Sequence, residues 1–84
     1  NEMHELAEKK KISYDSALSM ALRIGQIGEG HTKVPGPDGK KGFGGMCFIK
    51  DTEAILGQLL ETNKNSDIVK AVCKKNQELR PEAY

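Results

Sequence analysis

The sequence predicts an all-α fold: a small domain of about four helices with a long glycine-rich loop and a core thin enough to lean on a partner. Three observations lead there. Four stretches place apolar residues three and four apart, the spacing of one helix face, and none alternates as a half-buried strand does. Eight of the nine glycines crowd into residues 25–45, between the second and third of those stretches. Finally, 84 residues with 37% apolar side chains and only two Tyr and two Phe leave a thin core, and chains this small often lean on a partner subunit.

The first helix is expected over residues 1–11, with Met3, Leu6, Ala7 and Lys10 on one face. Lys9, Lys10 and Lys11 suit a helix C-terminus, where cations meet the negative end of the dipole; they read as a solvated end, not a binding patch. Ile12-Ser13-Tyr14-Asp15 interrupts the pattern, and Ser13 or Asp15 can cap a second helix. Its face is Tyr14, Ala17, Leu18, Ala21 and Leu22, and it ends near Arg23-Ile24 with Gly25 as the stop. Met20 falls off that stripe and hints at a second contact surface.

Residues 25–45 then form a loop, with turn chemistry at Val34-Pro35-Gly36-Pro37-Asp38-Gly39. A loop of that length in a small domain is usually functional or disordered. A third helix is expected from Asp51, its N-cap, to about Glu61, with Ile55, Leu56, Leu59 and Leu60 inward. Gly57 weakens it by about 1 kcal/mol relative to alanine, and an interior glycine often marks close backbone packing. Asn63-Lys64-Asn65 is a turn. Ser66 caps a fourth helix with Asp67 in its first turn, apolar positions at Ile68, Val69, Val72, Cys73 and Leu79, and Pro81 at its end.

Composition removes several functions. The length allows one domain. Thirteen basic against twelve acidic residues give a net charge of +1, not the one-signed face of a nucleic-acid binder. No apolar run approaches a membrane span, and no signal-peptide pattern is visible, so a cytoplasmic setting is expected. Cys47 and Cys73 permit one disulfide but form no framework and no CxxC pair. His4 and His31 lack ligand-spaced partners and read as surface histidines, so no metal is expected. Cys73, on an apolar stripe, reads as core packing.

The chemistry points to Gly42-Phe43-Gly44-Gly45-Met46-Cys47-Phe48-Ile49-Lys50-Asp51. Glycines let a ligand approach the main chain closely. A cysteine attacks as thiolate, a form that a neighbouring lysine and a helix N-terminus both favour. Lys50 follows Cys47 by three residues. The plain alternative is a buried cysteine beside an ordinary connector. Cofactor motifs do not fit. Gly25-Gln26-Ile27-Gly28-Glu29-Gly30 reverses the dinucleotide spacing and follows a helix, Gly42, Gly44 and Gly45 miss the third glycine, and Gly39-Lys40 lacks the rest of a P-loop.

The run from Gly42 to Asp51 resembles the active-site loop of the nucleotide-sugar dehydrogenases, the UDP-glucose dehydrogenase family. Arg23-Ile24-Gly25, the segment from His31 to Gly39 and the opening Asn1-Glu2 look like that family too. Met46 and Ile49 depart from it, standing where a small residue and proline are common.

The resemblance implies the central, dimer-forming domain alone, without the family's two Rossmann-like domains or the catalytic lysine upstream of Asn1. It implies NAD-dependent oxidation of a nucleotide-sugar C6 alcohol to the carboxylate through a Cys47 thioester, with a UDP-sugar as substrate. Asp51 would assist the hydrolytic water, and Asn1 would polarise an oxygen near the sugar. Lys40, Lys41, Gly42, Phe43 and Gly44 would lie along the substrate, and Arg23 would reach the substrate of the other subunit of a homodimer. Cys47, Phe48 and Lys50 would face the nicotinamide in the complete enzyme; this chain alone is not expected to bind NAD. A stand-alone dimerisation module, pairing with itself or a full-length dehydrogenase, is the alternative. A thiol sensor at Cys47 is a weaker one, with no resolving cysteine near it in sequence.

Overall fold

The computed structural model describes residues 1–62 and 65–84. Among them are four α-helices: α1 (Glu2–Lys9), α2 (Tyr14–Leu22), α3 (Gly45–Thr62) and α4 (Asp67–Leu79). Short 3-10 turns cover Glu29–His31 and Pro81–Ala83, and no described residue lies in a strand. The expected all-helical class is therefore observed. The turn expected at Asn63-Lys64-Asn65 falls on two residues, Asn63 and Lys64, outside the described ones. The chain divides into two compact units, Asn1–Lys41 and Gly42–Tyr84.

In the first unit α1 packs on α2. The helix α1 stops at Lys9, earlier than the lysine run suggests, because the chain closes on itself there. The Ile12 N–H donates to the Ala7 carbonyl at 2.9 Å and the Lys11 N–H to the Glu8 carbonyl at 3.1 Å. Lys11 takes φ +57° to allow it. These are the paired bonds of a helix terminus that turns through the left-handed region, a position glycine usually fills. Ser13, not Asp15, caps α2: its hydroxyl accepts from the Ser16 N–H at 3.2 Å.

Tyr14 ties this unit together. Its hydroxyl donates to the Thr32 carbonyl at 2.7 Å, and its ring meets His4 edge-on with centroids 5.0 Å apart. His4, expected at the surface, is thus half-buried, while His31 is exposed. Leu18 and Leu22 are half-buried, but Ala17, Ala21 and Met20 are exposed, and no residue of the unit is buried. Gly25 stops the chain after α2 as expected, with φ +71°.

In the second unit α3 packs on α4, and α4 on the 3-10 turn that follows it. Here the expected boundary is wrong: α3 opens at Gly45, not Asp51, so Asp51 lies within the helix and is not its N-cap. Met46-Cys47-Phe48-Ile49 is apolar throughout, and a run without period does not reveal a helix. Leu56 and Leu59 are half-buried; Ile55 and Leu60 are exposed. A Cβ at Gly57 would meet nothing within 4 Å, so no close backbone contact explains that glycine.

Ser66 sits at the N-cap of α4, but its side chain makes no capping bond; Asp67 lies in the first turn as expected. The inward face of α4 is the expected one only in part: Val69 and Leu79 are half-buried and Cys73 is buried, as expected. Ile68 and Val72 are exposed, while Cys73 (5% exposed) and Asn76 (2%) are buried, followed by Arg80 (5%) just past the helix end. Pro81 opens the closing 3-10 turn.

Candidate active site

The glycine motif lies in the second unit, and α4 holds its backbone. The Phe43 N–H donates to Asn76 Oδ1 at 2.7 Å, and Asn76 Nδ2 donates back to the Phe43 carbonyl at 2.8 Å. The side-chain amide thus pairs with both main-chain groups of one residue, as a second peptide group would. Asn76 Nδ2 also donates to the Tyr84 hydroxyl at 2.9 Å. Both amide hydrogens and the oxygen are engaged, which is what a fully buried asparagine requires. Beside it, an Arg80 guanidinium nitrogen donates to the Gly42 carbonyl at 3.1 Å.

These contacts explain two of the glycines. Gly42 has φ +73°, and a Cβ there would come within 2.5 Å of Asn76 Oδ1. A Cβ at Gly44 would collide with the Arg80 guanidinium. Side chains at either position would push the turn off its two polar anchors. Phe43 between them is half-buried, and its ring meets Phe48 edge-on, centroids 6.4 Å apart.

The chain then enters α3, so Cys47 occupies the first helical turn, with its thiol free and exposed. Asp51 follows four residues later on the same helix. That spacing puts the two side chains on one face, with about 5–6 Å between Cβ atoms. Lys50 Nζ pairs with Asp51 Oδ1 at 3.7 Å; both are exposed, so the pair contributes little stability. Phe48 is about half exposed. A molecule approaching Cys47 therefore meets a thiol, an apolar ring and a carboxylate, none of them covered within this unit.

The structure groups Gly42, Phe43, Gly44, Cys47, Phe48, Lys50 and Asp51. The other expected site residues, Asn1, Arg23, Lys40 and Lys41, belong to the first unit. Asn1 stands at the N-cap position of α1 and Arg23 at the C-cap of α2. The Lys40 N–H donates to Asp38 Oδ1 at 3.1 Å and its carbonyl accepts from the Gly36 N–H at 2.9 Å, closing the Pro-Gly turn. Cys73 is buried, as its place on the α4 stripe suggests.

Asn76 and Arg80 are absent from the sequence-based expectation. The signal available was spacing: Val69, Cys73, Asn76 and Arg80 recur every three or four residues along one face. Among the described residues, no group of three His, Cys, Asp or Glu could hold a metal ion, and no helix is long and apolar enough to cross a membrane.

No curated protein and no solved structure matches the chain significantly. The model of the UDP-glucose/GDP-mannose dehydrogenase family, central domain, does match, over residues 1–78. With nearly its whole length so covered and its glycine turn leading into an exposed helical thiol, the chain belongs to the UDP-glucose/GDP-mannose dehydrogenase family, to which it contributes a central domain.

Proposed function

We propose that the chain is the central domain of an NAD-dependent dehydrogenase that oxidises the C6 alcohol of a nucleotide sugar to the carboxylate, with Cys47 as covalent nucleophile. The observation that supports this most is the exposed Cys47 thiol in the first turn of α3, with Asp51 one turn further on. The Cys47 sulfur would add to the C6 aldehyde, forming the carbon–sulfur bond as the carbonyl π bond breaks. Oxidation of that adduct gives a thioester, and hydrolysis returns the thiol and releases the carboxylate. Asp51, on the same helix face, would orient the hydrolytic water. Gly42, Phe43 and Gly44 would lie along the sugar nucleotide, with Lys40 and Lys41 preceding them in the chain.

NAD supplies the hydride acceptor in this reading. The described residues contain no strand, and the glycine turn of a dinucleotide site springs from one. Such a cradle would belong to another part of the complete enzyme, with Cys47, Phe48 and Lys50 facing the nicotinamide. The 84-residue chain mixed with UDP-glucose and NAD is accordingly expected to form no NADH. Formation that survives repurification and vanishes in Cys47→Ala would overturn the division of labour. In the complete enzyme Cys47→Ala is expected to abolish carboxylate formation; retained activity would remove its role as nucleophile.

A second reading rests on exposed apolar side chains, including Met3, Ile12, Met20, Ile24, Met46 and Ile68. They favour a homodimer, or a stand-alone module that pairs with a full-length dehydrogenase. Mixed dimers at micromolar concentration would support the module; their absence would sink it.

A further inference from the structure

We propose that Asn76, with Arg80 beside it, is a positioning residue: it holds the Gly42-Phe43-Gly44 turn in the shape that delivers Cys47 into the first turn of α3. Its functional weight rests on the reading of Cys47 as nucleophile, but its geometry does not. Asn76 bridges 33 residues of sequence to bind both main-chain groups of Phe43, and Arg80 bridges 38 to reach the Gly42 carbonyl. Both side chains are more than nine-tenths buried. Gly42 and Gly44 are the residues whose added Cβ would strike these anchors. Four positions are thus matched to one contact, two by supplying polar groups and two by leaving room.

The turn ends where the helix begins. Gly45 follows Gly44 directly, and Cys47 is the third residue of α3. A helix that loses the anchor before its first turn frays there, because its first amides have no partner within the helix. The thiol then loses its fixed place in the first turn of α3, and its reactivity changes with it. Asn76 acts on the thiol through the backbone between them and touches neither it nor a substrate in this arrangement.

Two readouts on the full 84-residue chain test the proposal. Amide hydrogen exchange at Phe43 reports the anchor, and iodoacetamide labelling of Cys47 reports its consequence. Buried Cys73 is the internal gauge of folding, since it labels only when the unit opens. In Asn76→Ala, Phe43 exchange is expected to accelerate roughly tenfold or more, the loss of about one hydrogen bond to a buried group. Cys47 labelling is expected to slow several-fold while Cys73 stays protected. Asn76→Asp keeps an acceptor for the Phe43 N–H and is expected to restore part of its protection. Unchanged Phe43 exchange and Cys47 labelling in Asn76→Ala would overturn the proposal.

If Cys73 labels freely in that variant, the pair at Gly44 and Arg80 decides. Arg80→Ala removes the collision that Gly44→Ala creates, so a space-filling role alone predicts wild-type Cys47 labelling in the double variant. Slow labelling there supports Arg80's share of the anchor, and wild-type labelling overturns that share. Failure of the nucleophile reading looks different: a complete enzyme carrying Cys47→Ala would stay active, with Phe43 still protected in the unmodified chain.

Discussion

In the first unit, residues 1–41, no side chain is buried; in the second, residues 42–84, Ser66, Cys73, Asn76 and Arg80 are. Three of those four are polar or charged. The first unit is held by two local closures, the left-handed end of α1 and the Ser13 cap of α2, and by the reach of Tyr14 across 18 residues to Thr32. The second is held across 33 and 38 residues by side chains that grip main chain. Local closures decide where helices start and stop, yet leave their faces open. A buried polar grip fixes the path of an irregular turn, which is what a reacting group on a loop needs and what apolar packing, being non-directional, does not supply.

The sharpest way to break this contrast is at Gly42. Gly42→Ala adds a Cβ at positive φ against Asn76, and is expected to destabilise the second unit by about 2–3 kcal/mol. In an Asn76→Ala background the cost should fall by about half, because the backbone strain and a tight contact with Leu79 remain; equal costs in both backgrounds, by denaturant titration, would show that the two residues do not couple.

Tyr14→Phe tests the first unit. It removes one hydrogen bond to the Thr32 carbonyl and is expected to cost about 1 kcal/mol. A lower midpoint of thermal unfolding is the readout, and an unchanged midpoint would count against the bond. The smallest effect has the opposite sign. Lys11→Gly relieves a left-handed residue and is expected to stabilise α1 by roughly 0.5–1 kcal/mol. Thermal unfolding followed by circular dichroism would register it, and a loss of stability would count against the strain.

Much of the first unit was legible because its signals are local. Ser13 before an apolar stripe and Gly25 after it are read from neighbours in sequence, and both act as their chemistry suggests. Its surprise, the early end of α1, comes from a lysine in a conformation that sequence habits assign to glycine. In the second unit, the glycine turn and its thiol were legible, but the start of α3 was not. Gly44-Gly45 looked like loop, and the apolar run after it carried no period. Asn76 and Arg80 were hidden for another reason. They sit in Lys74-Lys75-Asn76-Gln77-Glu78-Leu79-Arg80, where polar side chains dominate and only the helical spacing from Val69 and Cys73 points inward. What makes an asparagine belong inside is the main chain of a turn 33 residues away.

That separation also sets an order of assembly. The helices α3 and α4 can form from neighbouring residues, but the turn before Cys47 receives its partner only after α4 has closed on α3. Contacts of large sequence separation are costly to bring together and arrive late. A chain made from its N-terminus emits the thiol well before the asparagine that shapes its approach. In the proposed reading of Cys47, a nascent or half-folded chain therefore carries the cysteine before the turn ahead of it has been anchored.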